Sequence, residues 1–549
     1  MRCVRTVTVE GDGLALADVV DVARCRAVAE LGAGVAAKME PSRRVVAEAV
    51  DRGAVVYGVT TGFGALADVS VGGDDLARMQ LALVRSHSAG VGPPLPDEVV
   101  RALLLLRART LAAGYSGCRV ELPRRLLELL RLGLLPVVPA KGSVGASGDL
   151  AQLAAVALPL VGEGRLRLAG GGDPYGRPAA ELLAEHGLAP LTLRPKEGLT
   201  LINGTEPMQA LLALAVADAE LLTKAADIAC ALSVEALLGT DRAYAGRVQV
   251  IRPHPGQLDA AGNLRRLLAG SPLLASHRHS THAVQDSYSL RCAPQVHGAA
   301  RDVLAHCRRV LEIELSSVVD NPIVVVDLPA LTAVAGAGGE AVPGVPEVSG
   351  VPGPPGEPGS FEVMSTGNFH GQPLAFAGDM LAMAVAELGS ISERRVYRLL
   401  DPATSRGLPP FLAPRPGLNS GYMLAQYTAA SLVAEDKVLA HPASVDTIPT
   451  SGNQEDHVSM GWHAVRKAGE VVGNVATVLA VELLCAAQGI DLRAELAPPG
   501  PAAAAVHAAL RAVVPPMNTD REVTPQIEAV SRLLPDLVAA AEQVTGPLA

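Results

Sequence analysis

Between Gln209 and Leu238 apolar residues recur at i, i+3 and i+4, with Asp218, Glu220, Lys224 and Asp227 on the opposite face. That is the period of an amphipathic helix. Stretches around 295–318, 372–400, 422–440 and 463–487 repeat it. Long helices in succession bury their apolar stripes against one another, so a bundle follows. Composition agrees: one Trp, eight Tyr and five Phe make 3% of 549 residues, whereas sheet proteins draw on aromatic side chains for their strands and cross-strand pairs. Short strand-like runs mark the N-terminal third, as CVRTVTV (3–9), AVVYGV (54–59) and LLPVVP (134–139). The expected fold class is mainly α, a long central helical bundle with a smaller mixed α/β N-terminal part. A chain this long suits about three or four folding units. The expected parts are 1–205, 206–495 and 496–549, with 336–359, 24 residues holding eight Gly and six Pro, as a surface loop inserted in the second.

Several function classes recede. The formal net charge of −10 offers no general attraction to phosphate backbones or anionic lipid, so neither nucleic acid nor membrane is an expected partner. The start MRCVRTVTVEGDG has no apolar core of a secretory signal. Apolar stretches such as 211–222 and 474–487 are broken by polar groups before ~18 clean residues, so no membrane span is expected. Seven scattered Cys without a CxxC read as small buried hydrophobes in a reducing cytoplasm. The SHRHSTH run (276–282) lacks zinc-site spacing, His457 and Asp456 read as orienting groups, and no metal is expected. No GxGxxG follows a strand, so no dinucleotide cofactor is implied.

The most specific segment is Lys141–Leu150, KGSVGASGDL. It lacks the Gly-Lys-Ser/Thr ending of a phosphate loop. One reading is a plain tight turn. The other is chemical: the Gly148 nitrogen, unhindered by a Cβ, reaches back to the Ala146 carbonyl. Loss of two waters, one involving the Ser147 hydroxyl, then leaves an exocyclic methylidene on an imidazolone ring, an electrophile that stands in for an added cofactor.

GSVGASGDL does not stand alone. YGVTTGFG (57–64), LVRSHSAGVG (83–92), KEGLTLINGT (196–205), VQDSYSLRCAPQ (284–295), DNP (320–322), GNFHG (367–371), SERR (392–395), LPPFL (408–412), NSGYMLAQ (419–426) and SGNQEDHVSM (451–460) accompany it. In content and order these blocks resemble the aromatic amino acid ammonia-lyase family over roughly residues 50 to 490. The resemblance implies a mostly helical fold, no external cofactor, a methylidene-imidazolone self-formed from Ala146, Ser147 and Gly148, and a homotetramer whose subunits share active sites.

Such chemistry breaks a C–N bond with a poor leaving group and removes an unacidic β-hydrogen, so it needs an electrophile and a positioned base. By the resemblance, Tyr57 is the base and Tyr288 a second catalytic Tyr, while Gly58, Gly62 and Gly64 belong to a covering loop. Arg291 is the cation for the substrate carboxylate, which a guanidinium grips in bidentate fashion. Asn203, Gln285 and Gln454 line the same pocket, and Phe369 supplies an apolar wall.

Two features favour histidine as the amino acid substrate, with trans-urocanate as product. Ser86-His87 stands where phenylalanine- and tyrosine-type members carry Phe-Leu or His-Leu, and Glu455 stands where they have Gln. A Glu and a His suit an imidazole ring, whereas a benzene ring would leave the carboxylate unpaired. An aminomutase, or a lyase for tyrosine or phenylalanine, is the alternative. Gln152, Ala155, Ser88, Gly452 and Glu206 depart from the family's usual residues, and Glu206 could place a charge near the pocket.

Overall fold

A computed structural model describes residues 5–56, 58–62, 71–72, 75–326 and 361–549. The 336–359 insert lies outside the described residues. The chain forms two units, the first from Met1–Leu214, Val310–Phe376 and Ala443–Val465, the second from Ala215–Arg309, Ala377–Pro442 and Arg466–Ala549.

The first unit is mixed. Arg5–Val9 pairs in parallel with Ala27–Leu31, and Leu134–Pro136 pairs with Arg165–Leu168 antiparallel. These satisfy two of the three strand-like runs. The third, 54–59, forms no strand among its described residues: the Thr60 hydroxyl donates to the Ala54 carbonyl and accepts from the Val56 N–H, taking groups a neighbouring strand would have used. The helix Asp97–Ala112 is buried from Val99 to Ala112 and forms the unit's spine. Its internal arginines are neutralised locally; Arg109 reaches the carbonyls of Asp12, Ser316 and Ser317.

The second unit is helical and takes most of Glu206–Ala236, Ala293–Glu314, Gln372–Leu400 and Gly461–Asp491, with Met423–Leu439, Pro501–Val513 and Thr524–Thr545. The apolar periods noted in the sequence correspond to these helices. Two clusters of buried polar groups pair among themselves. Arg395 and Glu482 are both fully buried, and Ser392 and Ser233 donate to the same carboxylate. Asp227 collects His297, Arg301 and Asn263. Gln372–Leu400 and Gly461–Asp491 are long and apolar enough to cross a membrane, yet most of each apolar stretch, 61% and 72%, is buried within the protein. Six described cysteines are unpaired, and burial pushes the thiols of Cys118, Cys230 and Cys307 up to about 12.

Candidate active site

The strand Pro139–Lys141 feeds the loop 142–149, which ends where the helix Leu150–Leu160 begins. The loop is tied down on both sides of Ser147. The Ser459 hydroxyl donates to the Gly145 carbonyl at 2.9 Å, and the Met460 N–H donates to the Val144 carbonyl at 2.9 Å. After it, the Asp149 N–H donates to the Gly204 carbonyl at 2.9 Å. Gly148 sits at φ 71°, and a Cβ there would overlap the Gly204 carbonyl oxygen, so both conformation and space demand glycine. Gly148→Ala is therefore expected to displace the loop and cost at least about 100-fold in activity. A variant within twofold of the parent in a steady-state assay would contradict this.

The Ser147 hydroxyl donates to Glu455 Oε1 at 3.0 Å across 308 residues of chain. Glu455 is presented by a tight turn in which Ser451, Gly452 and Asn453 all adopt positive φ. The turn folds residue 455 back onto 450, with reciprocal backbone hydrogen bonds of 3.0 and 3.3 Å. The Thr450 hydroxyl donates to Glu455 Oε2 at 2.5 Å. Both carboxylate oxygens are thus engaged by hydroxyls and no cation is paired with them among the described residues.

Asp149, which sequence reasoning left without a role, organises the floor. Its place before a helix reads as an N-cap, but its side chain makes no cap bond to that helix. Oδ1 accepts from the Ser143 hydroxyl at 2.6 Å, and Oδ2 accepts from the Met208 N–H at 3.0 Å. It therefore caps a different helix, Glu206–Ala236, whose first N–H groups have no internal partner. Burial raises its pKa to about 7 against the lowering by those two bonds, and Glu206 adds to the rise. Asn203 ends the helix Glu197–Ile202, is buried, and leaves Oδ1 without a partner among the described residues. Glu206 is fully buried and paired with Arg107 at 2.5 Å, so its charge is neutralised inside the fold.

Glu314 is also raised to about 7, chiefly by burial, while the Thr205 hydroxyl opposes the shift. A carboxyl raised in the folded state holds its proton there after the unfolded chain has lost it, so stability falls as pH climbs from the unfolded value through the folded one. The lowered pKa of buried His297 acts in the opposite sense, but it is common to the parent and to a Glu314 variant and cancels between them. Between pH 6.5 and 8, Glu314→Gln is accordingly expected to lose less melting temperature than the parent by calorimetry. Equal losses would refute the assignment.

His87 closes the helix Asp75–His87. Its Nδ1 lies 2.9 Å from the Leu83 carbonyl oxygen. A carbonyl only accepts, so Nδ1 carries the proton and Nε2 is left for another partner. Phe369 is half-buried and Gln454 exposed. Next to Phe369, His370 Nδ1 accepts the Gln372 N–H, so its Nε2–H donates to the His457 carbonyl at 3.2 Å. That bond joins the two segments carrying Phe369 and Glu455.

Gln285, Tyr288 and Arg291 belong to the second unit. Gln285 is exposed and Tyr288 is 70% exposed. The Arg291 guanidinium lies 4.6 Å from the centre of the Tyr288 ring, and its buried Nε has no partner among the described residues. Among the described residues it pairs with no carboxylate, which leaves its fork for a ligand. Asp286, buried beside them, is held by Arg406 and the Thr240 N–H.

Tyr57, Phe63 and Gly64 lie outside the described residues. Among the described residues no group of three or more His, Cys, Asp or Glu side chains is placed to hold a metal ion. His277 and His282 instead face the backbone carbonyls of Gly239 and Leu238. The structure thus brings Ser147 and Glu455 together, sets Gly148 against the segment after Asn203, and places Gln285, Tyr288 and Arg291 on one short segment of the second unit.

A mainly helical chain with this loop and its carboxylate is a carbon–nitrogen lyase by descent as well as by design. Residues 14–512 match the family described as aromatic amino acid lyase, and the chain belongs to that family. It is 48% identical over 543 residues to histidine ammonia-lyase of Sorangium cellulosum, covering 98% of this chain and 99% of the relative. The crystal structure of histidine ammonia-lyase from Trypanosoma cruzi superposes with a TM-score of 0.85 at 39% identity, covering 99% of this chain and 95% of that one. Tyrosine aminomutase from Streptomyces globisporus gives 0.86 at 37%, covering 99% and 100%.

Proposed function

We propose that the protein eliminates ammonia from L-histidine to give trans-urocanate, using a methylidene-imidazolone formed from Ala146, Ser147 and Gly148. The carrying observation is Glu455: a carboxylate hydrogen-bonded to Ser147, with no cation of its own among the described residues, suits an imidazole that donates an N–H. A benzene ring would leave it unmatched. His87, with Nε2 left for another partner, complements a second ring nitrogen.

The residues fit the self-formed group. Among the described residues the Gly148 amide nitrogen donates no hydrogen bond and the Ala146 carbonyl accepts none, so both are free for the ring-closing N–C bond. Neighbours hold the turn from either side. Once formed, the group supplies an electrophilic carbon that activates the substrate for loss of ammonia. The rest falls to side chains. Arg291 grips the α-carboxylate, assisted by Asn203, Gln285 and Gln454. Phe369 and Tyr288 wall the ring and chain. Tyr57 removes the β-proton as the Cα–N bond breaks and the double bond forms.

A homotetramer with shared sites accords with the second unit's surface. In the helix Met423–Leu439 only Ala425, Ala429 and Asp436 are buried, while Leu424, Tyr427 and Val438 are exposed, as are Met380 and Met383. Apolar faces of this kind are covered in assemblies. A reducing, cytoplasmic setting suits the unpaired thiols.

The test is incubation with L-histidine, L-tyrosine and L-phenylalanine without added cofactor, with products separated by chromatography. Urocanate and free ammonia from L-histidine alone are expected. Turnover of L-tyrosine with none of L-histidine would overturn the specificity. The resemblance to tyrosine aminomutase makes a β-amino acid product the second reading, which the same chromatogram resolves.

A further inference from the structure

Tyr288 and Arg291 stand at either end of a one-turn helix, Tyr288–Arg291, which breaks at Cys292 before Ala293–Glu314 begins. Its own bonds hold the early groups: the Arg291 N–H donates to the Ser287 carbonyl and the Cys292 N–H to the Tyr288 carbonyl. The Leu290 carbonyl meets a backbone N–H only at the cap, where the turn breaks. Its helical donor four residues on would be residue 294, a proline with no N–H.

The tertiary structure supplies another donor. The hydroxyl of Tyr244, a fully buried side chain, donates to the Leu290 carbonyl at 2.9 Å. The adjacent Ser289 carbonyl accepts from Arg395 Nη1 at 3.3 Å. Arg395 belongs to the SERR block, and its remaining fork is locked on Glu482. We propose that Tyr244, backed by Arg395, is a positioning residue for substrate carboxylate recognition: it caps the turn that Pro294 leaves open and so fixes where Arg291 points. The inference rests on the reading of Arg291 as the carboxylate's partner. Burial raises the Tyr244 phenol well above its usual value, so it stays a neutral donor over the working pH range.

Tyr244→Phe keeps the buried ring and deletes only the donor. Losing one buried hydrogen bond is expected to raise KM for L-histidine about five- to tenfold while kcat changes less than about twofold. Inhibition by 3-(imidazol-4-yl)propionate should weaken in step, and inhibition by 4-methylimidazole, which has no carboxylate, should not. In the double variant with Pro294→Ala, the restored N–H reaches the Leu290 carbonyl and KM returns towards the parent. An unchanged KM in Tyr244→Phe, or equal weakening of both inhibitors, overturns the proposal. Should that variant fail to fold, the double variant, which keeps a donor for the Leu290 carbonyl, is measured in its place: a KM within about twofold of the parent is expected, and a KM raised about fivefold or more there overturns the proposal. Arg291→Lys is measured in parallel. No effect on KM in Arg291→Lys removes the carboxylate reading itself, whereas an effect there without one in Tyr244→Phe removes only the positioning role.

Discussion

Ser147→Ala leaves a folded protein that no longer turns over L-histidine. Alanine has no hydroxyl to eliminate, so the exocyclic double bond cannot form and the remaining groups face an unactivated substrate. The expected loss in kcat is at least about 1,000-fold, or about 4 kcal/mol of barrier. Folding should be nearly untouched, because the Ser147 side chain makes one hydrogen bond in the fold, to Glu455, and gives up that hydroxyl when the ring forms. Circular dichroism and light scattering report the fold and assembly, and product formation reports the chemistry. Turnover within tenfold of the parent would show that the electrophile does not come from this serine.

Glu455→Gln separates recognition from chemistry. Glutamine keeps the size and can still accept from the Thr450 hydroxyl, but it removes the charge that an imidazole N–H would meet. A hydrogen bond to a charged group contributes about 1.5–3 kcal/mol, so kcat/KM for L-histidine should fall about 10- to 100-fold. Any activity towards L-phenylalanine should hold or rise, since its ring no longer strands a carboxylate. Unchanged histidine kinetics would remove Glu455 from substrate recognition.

Much of the fold was legible because the signals were local. The helix Gln372–Leu400 coincides with the apolar period seen in the sequence, and Glu206–Ala236 begins three residues earlier than the period suggested. The run at 54–59 misled because alternating apolar residues cannot show that the Thr60 hydroxyl will bind the backbone first. Asp149 was legible only as a helix cap, since nothing local says that Met208 will lie closer to its carboxylate. Glu206 looked like an added pocket charge; Arg107, 99 residues away, neutralises it. Of the aromatic residues counted at the outset, Tyr244 stands outside every motif block and drew no attention, because its value lies in a distant carbonyl to which Pro294 offers no helical donor.

By itself the sequence determined that the chain is mainly helical and that its Ala-Ser-Gly turn sits in the company of one lyase family's blocks, and it offered a Glu and a His as candidates for meeting an imidazole. Periodicity, glycine freedom and residue chemistry are properties of neighbours along the chain, and they can be read there. Tertiary structure alone decided that Glu455 meets Ser147, that Asp149 holds the start of another helix, and that Tyr244 completes the turn bearing Arg291. Each of those contacts joins distant segments whose meeting depends on the packing of everything between them.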